Sequence, residues 1–242
     1  MSGRGYSGGG SPLTAGPGIA ISDAGVISAT GGGLVVMNTP TAAQFSTVIN
    51  NGVDSETITD ASGGVLFTRA GNTGAVDLTG GMEAIAAGAA WKVTAGLSIA
   101  GKNAFSAGDI EGAGIVLGAA DGKLLTFMPL RFDAFVGVGT HRWTNEDTYD
   151  ATGKVETAKS LGDPFHNAIN FGAPITLQVR LVSGTLQLWY SLTGRDNTWH
   201  HQVANDVALA DHLGTVTHCG KAIWAYGNVA MESLLFDWRN EA

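Results

Sequence analysis

From about residue 61 onward, apolar and polar positions alternate in short runs separated by Gly, Asp, Asn and Ser. The runs include "GVLFTRA", "GAVDLTG", "AWKVTAGLSIA", "AGIVLGA", "KLLTFMPL", "RFDAFVGVGTHRW", "PITLQVRLV", "TLQLWYSL", "WHHQVA", "KAIWAYG" and "ESLLFDWRN". A period of two with turn residues between the runs predicts antiparallel strands, because side chains on a strand point to opposite faces in turn. No helical spacing competes over this zone. The expectation is an all-β antiparallel sandwich, or jelly roll, over residues 61–242.

One hairpin can be registered in advance. In "ITLQVRLVSGTLQLWYSL" a two-residue loop, Ser183–Gly184, favours a primed turn and sets Leu181 opposite Leu186, Arg180 opposite Gln187, Val179 opposite Leu188 and Gln178 opposite Trp189. One face then carries Leu177, Val179, Leu181, Leu186, Leu188 and Tyr190 and belongs in a core. The other carries Gln178, Arg180, Gln187 and Trp189, a polar face with one large aromatic, which suits sugar binding.

Ahead of this zone the pattern changes twice. Residues 34–60 read as a connector. "LVVM" suggests a buried strand; Thr39, Pro40 and Gly52 mark the start and stop of one short helix with Ala43, Phe45, Val48 and Ile49 on its apolar face. Residues 1–33 hold 11 glycines. Such a segment buries too little to offset its ordering entropy, so other chains are expected to order it. Within it Ile19, Ile21, Val26 and Ile27 flank the turn-like "SDAG" and form a short β element suited to docking and assembly.

Composition supports the strand-and-turn reading. Of 242 residues, 44% are hydrophobic, enough for a sizeable core, yet only 14% are charged and 36 are glycine. A net charge of −8 with no Lys/Arg cluster argues against a nucleic-acid partner. The apolar runs are too short for a membrane-spanning helix. "MSGRGYSGGG" lacks the apolar stretch of a secretory leader, and the single cysteine, Cys219, excludes an intrachain disulfide. Synthesis in a cytoplasm is the expectation, with a small buried thiol at Cys219.

Two resemblances add to this reading. "LQVRLVSGTLQLWYSLTGRDNTW" followed by "AIWAYGNVAMESLLFDWRN" resembles the closing strands of concanavalin-like and laminin-G-like jelly rolls, with Phe236-Asp237-Trp238 in the last strand. That similarity covers residues 65–242 and implies the fold; the same architecture hosts lectins, glycanases and adhesion modules. "GPGIAISDAGVISATGGG" resembles segments of bacteriophage tail fibres, head fibres and other virion appendages. Together they imply a homotrimeric phage fibre or spike: residues 1–33 dock onto the particle and the lectin-like domain meets a host-surface glycan.

Candidate chemistry is sparse. The E-x-D-x-x-E string of β-glucan-cleaving members of this fold is absent. No G-x-S-x-G or phosphate-loop spacing occurs either, so no catalytic residue is assigned. The loop of residues 144–153 concentrates Asn145, Glu146, Asp147 and Asp150 and is the one candidate calcium site. The six histidines lack zinc-ligand spacing. No other cofactor is expected.

Of the tryptophans, Trp91, Trp224 and Trp238 lie in apolar runs and are expected in the core. Trp143, Trp189 and Trp199 have polar neighbours and are the candidate sugar-stacking residues. On "RFDAFVGVGTHRW", Arg131, Asp133, His141 and Trp143 share one parity with Gly137 and Gly139 between them, predicting a polar face with open space over the glycines. The carbohydrate candidates are therefore Arg131, Asp133, His141, Trp143, Gln178, Arg180, Gln187, Trp189 and Trp199. The alternatives to a fibre lectin are a capsid-decorating or cementing trimer with no ligand, and a glycan-cleaving enzyme on the same scaffold.

Overall fold

Leu177, Val179 and Leu181 are buried while Arg180 and Val182, on the same strand, reach solvent. That alternation recurs along the chain and fixes which way each strand faces. The computed structural model describes residues 19–21, 27–29, 37–50, 56–70, 77–86, 88, 90–101, 110–132, 135–145, 148–159, 174–192, 199–202, 206–226 and 230–242.

The chain divides into two units, Met1–Val36 and Met37–Ala242. In the first, β1 (Ile19–Ile21) and β2 (Ile27–Ala29) pair antiparallel, with Ile19 opposite Ala29 and Ile21 opposite Ile27. Val26 lies outside the described residues.

The second unit is a two-sheet antiparallel sandwich. Its strands are β3 (Thr47–Asn50), β4 (Glu56–Ala61), β5 (Gly64–Arg69), β6 (Asp77–Ala84), β7 (Lys92–Gly101), β8 (Ile110–Ala119), β9 (Leu124–Phe132) and β10 (Phe135–Asn145). They continue with β11 (Thr148–Lys159), β12 (Ile175–Val182), β13 (Thr185–Ser191), β14 (His200–His201), β15 (Val207–Ala208), β16 (Val216–Tyr226) and β17 (Met231–Glu241). One sheet runs β11-β10-β9-β8-β16-β6-β3, the other β14-β13-β12-β7-β17-β5-β4, with β15 beside β13.

The main core lies between the sheets. Ile115, Leu117, Phe127, Val138 and Ile223 of the first sheet meet Val65, Phe67, Val93, Leu97, Val179, Leu188 and Leu235 of the second. Trp91 and Trp238 belong to this core, as expected, and so does Cys219. Burial and the nearby Glu83 carboxylate push the Cys219 thiol far above the ordinary cysteine range.

The predicted hairpin forms residue for residue. Gln178 faces Trp189, Arg180 faces Gln187 and Leu181 faces Leu186. Ser183 has φ 50° and Gly184 φ 79°, so both loop residues take the left-handed conformation of a type I′ turn.

The connector differs from expectation. The helix shrinks to a single 3-10 turn, Ala42–Gln44, whose Gln44 side chain accepts a hydrogen bond from the Thr41 amide. Val48 and Ile49 are on β3, and β3 and β4 are edge strands of the two sheets, so the sandwich begins before residue 61. The β-branched "TVI" run prefers a pleated strand to a second helical turn. Phe45 nevertheless buries as anticipated. It packs edge-on against Phe67 at 5.4 Å and Trp238 at 5.5 Å.

Just upstream, Asn38 continues the second sheet where β5 stops. Its amide donates to Asp237 Oδ1 (2.8 Å), its side-chain amide donates to the Trp238 carbonyl (2.8 Å), and its carbonyl accepts from the Trp238 amide (2.9 Å).

Candidate functional site

The outer face of the seven-stranded sheet curls inward and carries a second apolar cluster. Ile49, Leu78, Met82, Val116, Leu124, Met128, Leu130, Trp143, Ala222 and Trp224 are all buried there, with Tyr149 packed against them. Strands β10 and β16 are separated by β9 and β8, a backbone distance of about 14 Å in a flat sheet. Yet the rings of His141 and Trp224 approach to 4.3 Å, and those of Trp143 and Trp224 to 5.8 Å. The sheet must bend toward this face; Trp224 stands opposite Gly112 in the β16–β8 register. Glycine is required beneath these rings: at Gly139 an added Cβ would sit 2.8 Å from the His141 imidazole.

This arrangement corrects part of the sequence reading. The run from Arg131 to Trp143 is not one strand. Strand β9 ends at Phe132 and β10 begins at Phe135, with those two residues paired across a two-residue connection in which Asp133 is the one turn-type residue. Arg131 is therefore on a different strand from His141 and Trp143, and Asp133 lies outside the described residues. His141 and Trp143 share a face, as predicted, but are 0% exposed. The space over Gly139 is taken by the His141 ring, which packs against Trp224. Neither residue offers a surface to a sugar.

The polar face of the β12–β13 hairpin also closes on itself. Arg180, from the strand on one side, lies 4.5 Å over the Trp189 ring. His201, from the strand on the other side, stacks on that ring at 4.3 Å with 7° between planes. The indole is thus covered on both faces. Gln178 donates to Thr94 Oγ1 (2.9 Å) and accepts from Arg180 Nε. His201 Nε2 meets Asp206 at 3.0 Å. Burial holds the Arg180 guanidinium below its ordinary range, and the stacking supplies a weakly hydrated cation with an aromatic face. Gln187 is half-buried beside this stack, and Trp199 is half-buried just ahead of β14. These residues brace one another rather than form a receptive surface.

The residues on either side of the proposed calcium loop's centre belong to strands β10 and β11, which pair antiparallel with Asn145 opposite Thr148. Asn145 ends one strand and Asp150 sits on the next, opposite Arg142. "TYDATGKVET" is polar but holds four β-branched residues and a tyrosine, and it forms a strand where a loop was expected. Glu146 and Asp147 lie outside the described residues. Among the described residues no group of three His, Cys, Asp or Glu side chains is placed to hold a metal ion.

An open groove of about 500 Å³ lies at one end of the curled face. Ile49, Met82 and Leu124 form its floor and continue into the buried aromatic cluster. Thr47, Asn145, Thr217 and His218 supply its polar rim, and the β8–β9 turn closes one side with Ala119, Ala120 and Gly122. Val48, 56% exposed on edge strand β3, forms its lip. The described lining contains no carboxylate and no Lys or Arg. Such a lining, apolar below and hydroxyl, amide and imidazole above, suits a neutral ligand with one apolar face.

Sequence reasoning identified Asn145 as a polar contributor, though to a metal loop. It did not identify Thr47, Thr217 or His218. The relevant signal is a β-bulge: Val216 pairs with Ala119 and His218 with Gly118, leaving Thr217 as the extra residue. The bulge brings Thr217 and His218 side by side, which strict alternation would forbid.

No protein-family model matches this chain, and no curated protein matches it in sequence. Among solved structures, a functionally unknown protein from Saccharomyces cerevisiae is similar at a TM-score of 0.51 and 16% identity, covering 82% of this chain and 96% of that one. Lectin II from Ulex europaeus superposes at a TM-score of 0.44 with 9% identity, over 80% of this chain and 91% of the lectin. The CBM2 module of the evolved Dit of Lactobacillus casei BL23 phage J-1 does so at 0.43 with 10% identity, over 75% and 80%. Identities this low speak to the fold alone, and superpositions below 0.5 do not bear on function. The chain folds as a two-sheet antiparallel β-sandwich, the architecture of a jelly roll.

Proposed function

We propose that this protein is a non-catalytic virion appendage, a homotrimeric bacteriophage fibre or spike whose sandwich binds a host-surface glycan in the groove beside β3. The observation that carries the proposal is the groove itself: an open space of about 500 Å³ with an apolar floor and an uncharged polar rim. Sugar rings present an apolar face and a girdle of hydroxyls, and this lining meets both. The leader supports assembly. Its β1–β2 pair has strands of three residues each, and an isolated hairpin of that size is at best marginal in water. Copies joined around a common axis bury what one hairpin leaves exposed, and three grooves in one particle turn weak binding into firm attachment.

Sedimentation of the full chain and a glycan array test the reading together. A trimeric mass and array binding weakened about tenfold by Asn145→Ala are expected, the size of effect one hydrogen bond gives. A monomer, or an array signal indifferent to groove substitutions, refutes it.

The covering of Trp143 and Trp189 by the protein's own side chains favours a second reading, a capsid-decorating trimer without a ligand. A trimer that binds no glycan at high valency selects that reading.

A further inference from the structure

Within the groove, the bulge at Thr217 builds a short relay with a defined polarity. Thr217 Oγ1 donates to the Gly118 carbonyl at 3.3 Å, which uses its one hydrogen. The same oxygen lies 2.9 Å from His218 Nδ1. Both contacts are hydrogen bonds at once only when the hydroxyl accepts from Nδ1–H, and on that network the proton is assigned to Nδ1. A neutral imidazole protonated at Nδ1 has its lone pair on Nε2, and the ring lines the groove.

We infer that His218 Nε2, held as an acceptor by Thr217, is the polar anchor of the groove and selects a neutral saccharide through a hydroxyl that donates to it. The inference rests on the groove being a glycan site and names the class of glycan it takes. A carboxylate or phosphate oxygen at this position would face a lone pair, and the described lining holds no Lys or Arg to offset the repulsion. A sugar hydroxyl donates to Nε2 while its ring lies over Ile49, Met82 and Leu124. The arrangement discriminates by hydrogen-bond polarity, because a mismatched acceptor leaves a desolvated lone pair without a partner.

Two measurements on the full-length protein test it. The first is the tautomer of His218, read from long-range nitrogen–proton spectra of histidine-labelled protein at alkaline pH and assigned by the signal lost in His218→Phe. The expected state is protonated Nδ1 with bare Nε2, moving toward the other tautomer in Thr217→Val. The second is an array of neutral mannose-, galactose- and glucose-terminated oligosaccharides beside uronate and sialylated ones. Neutral glycans should bind, and Thr217→Val and His218→Phe should each weaken them about tenfold. A wild-type Nε2–H tautomer overturns the inference whatever binds. Tighter binding of the acidic glycans overturns it while leaving the groove as a glycan site. Absence of binding to any glycan overturns the glycan reading and this inference together.

Discussion

Replacing Lys221 by methionine should make the protein more stable at neutral pH. Lys221 points into the main core from β16, between Cys219 and Ile223, and is 0% exposed. Its Nζ donates to the Ser233 carbonyl at 2.6 Å and lies 4.2 Å from the Phe67 ring centre. No carboxylate among the described residues pairs with it. Burial alone pushes its ammonium well below the usual lysine range. The unfolded chain regains an ordinary lysine near 10.5, so between the two values the unfolded state holds a proton that the native state lacks.

Stability attributable to this group therefore rises with pH across that window, by up to about 1.4 kcal/mol per pH unit. Methionine keeps the length and apolar stem, loses one hydrogen bond worth about 1 kcal/mol and removes the cost of stripping the charge. The expected net gain at pH 7 is about 1–3 kcal/mol, in the range found when buried ionic groups give way to apolar ones. Urea unfolding of both proteins from pH 6 to 10 supplies the assay. The difference between the two curves isolates Lys221 and should shrink as pH rises. A variant less stable at every pH, with a difference that stays flat, refutes the reasoning.

Other consequences follow from particular contacts. Phe45→Ala removes the ring wedged against Phe67 and Trp238 and should cost about 3–5 kcal/mol in urea unfolding. At the type I′ turn, Ser183→Asn should stabilise by about 0.5 kcal/mol, whereas Gly184→Ala, at φ 79°, should destabilise by about 1 kcal/mol; thermal melts read both. Trp189→Ala should lower stability yet leave glycan adsorption unchanged, because Arg180 and His201 already occupy both ring faces. The Cys219 thiol should resist alkylation in the native state and react once urea unfolds the chain, as mass spectrometry would record.

Strand identity was legible wherever one face of a strand is core, because alternation then leaves a signature in the sequence. The β12–β13 hairpin shows this best: a two-residue loop and six buried apolar positions leave only one register. The reversal after Phe132 and the strand β11 were not legible. One is marked by a lone Asp133 that fits strand alternation equally well, and the other is polar along much of its length. The misassigned tryptophans have a different cause. Polar neighbours along the chain marked Trp143 and Trp189 as exposed, but their covering depends on groups that arrive from other strands: the Trp224 ring in one case, His201 and Arg180 in the other. The groove rim was hidden for a similar reason, since Thr47, Asn145 and His218 meet only after the sheet curls and β16 bulges.

The place where Asn38 joins the sandwich has a mechanical consequence. Any tension delivered through the leader enters at a residue hydrogen-bonded to β17 just past the end of β5, where β7 holds the other side of that strand. A pull applied at a sheet margin peels bonds one at a time. Here three hydrogen bonds pass the load to a strand that β7 holds along its length, beside the Trp238 indole, whose Nε1 is tied to Glu83 in the opposite sheet at 2.7 Å. The tether is thus fastened to both halves of the sandwich at once.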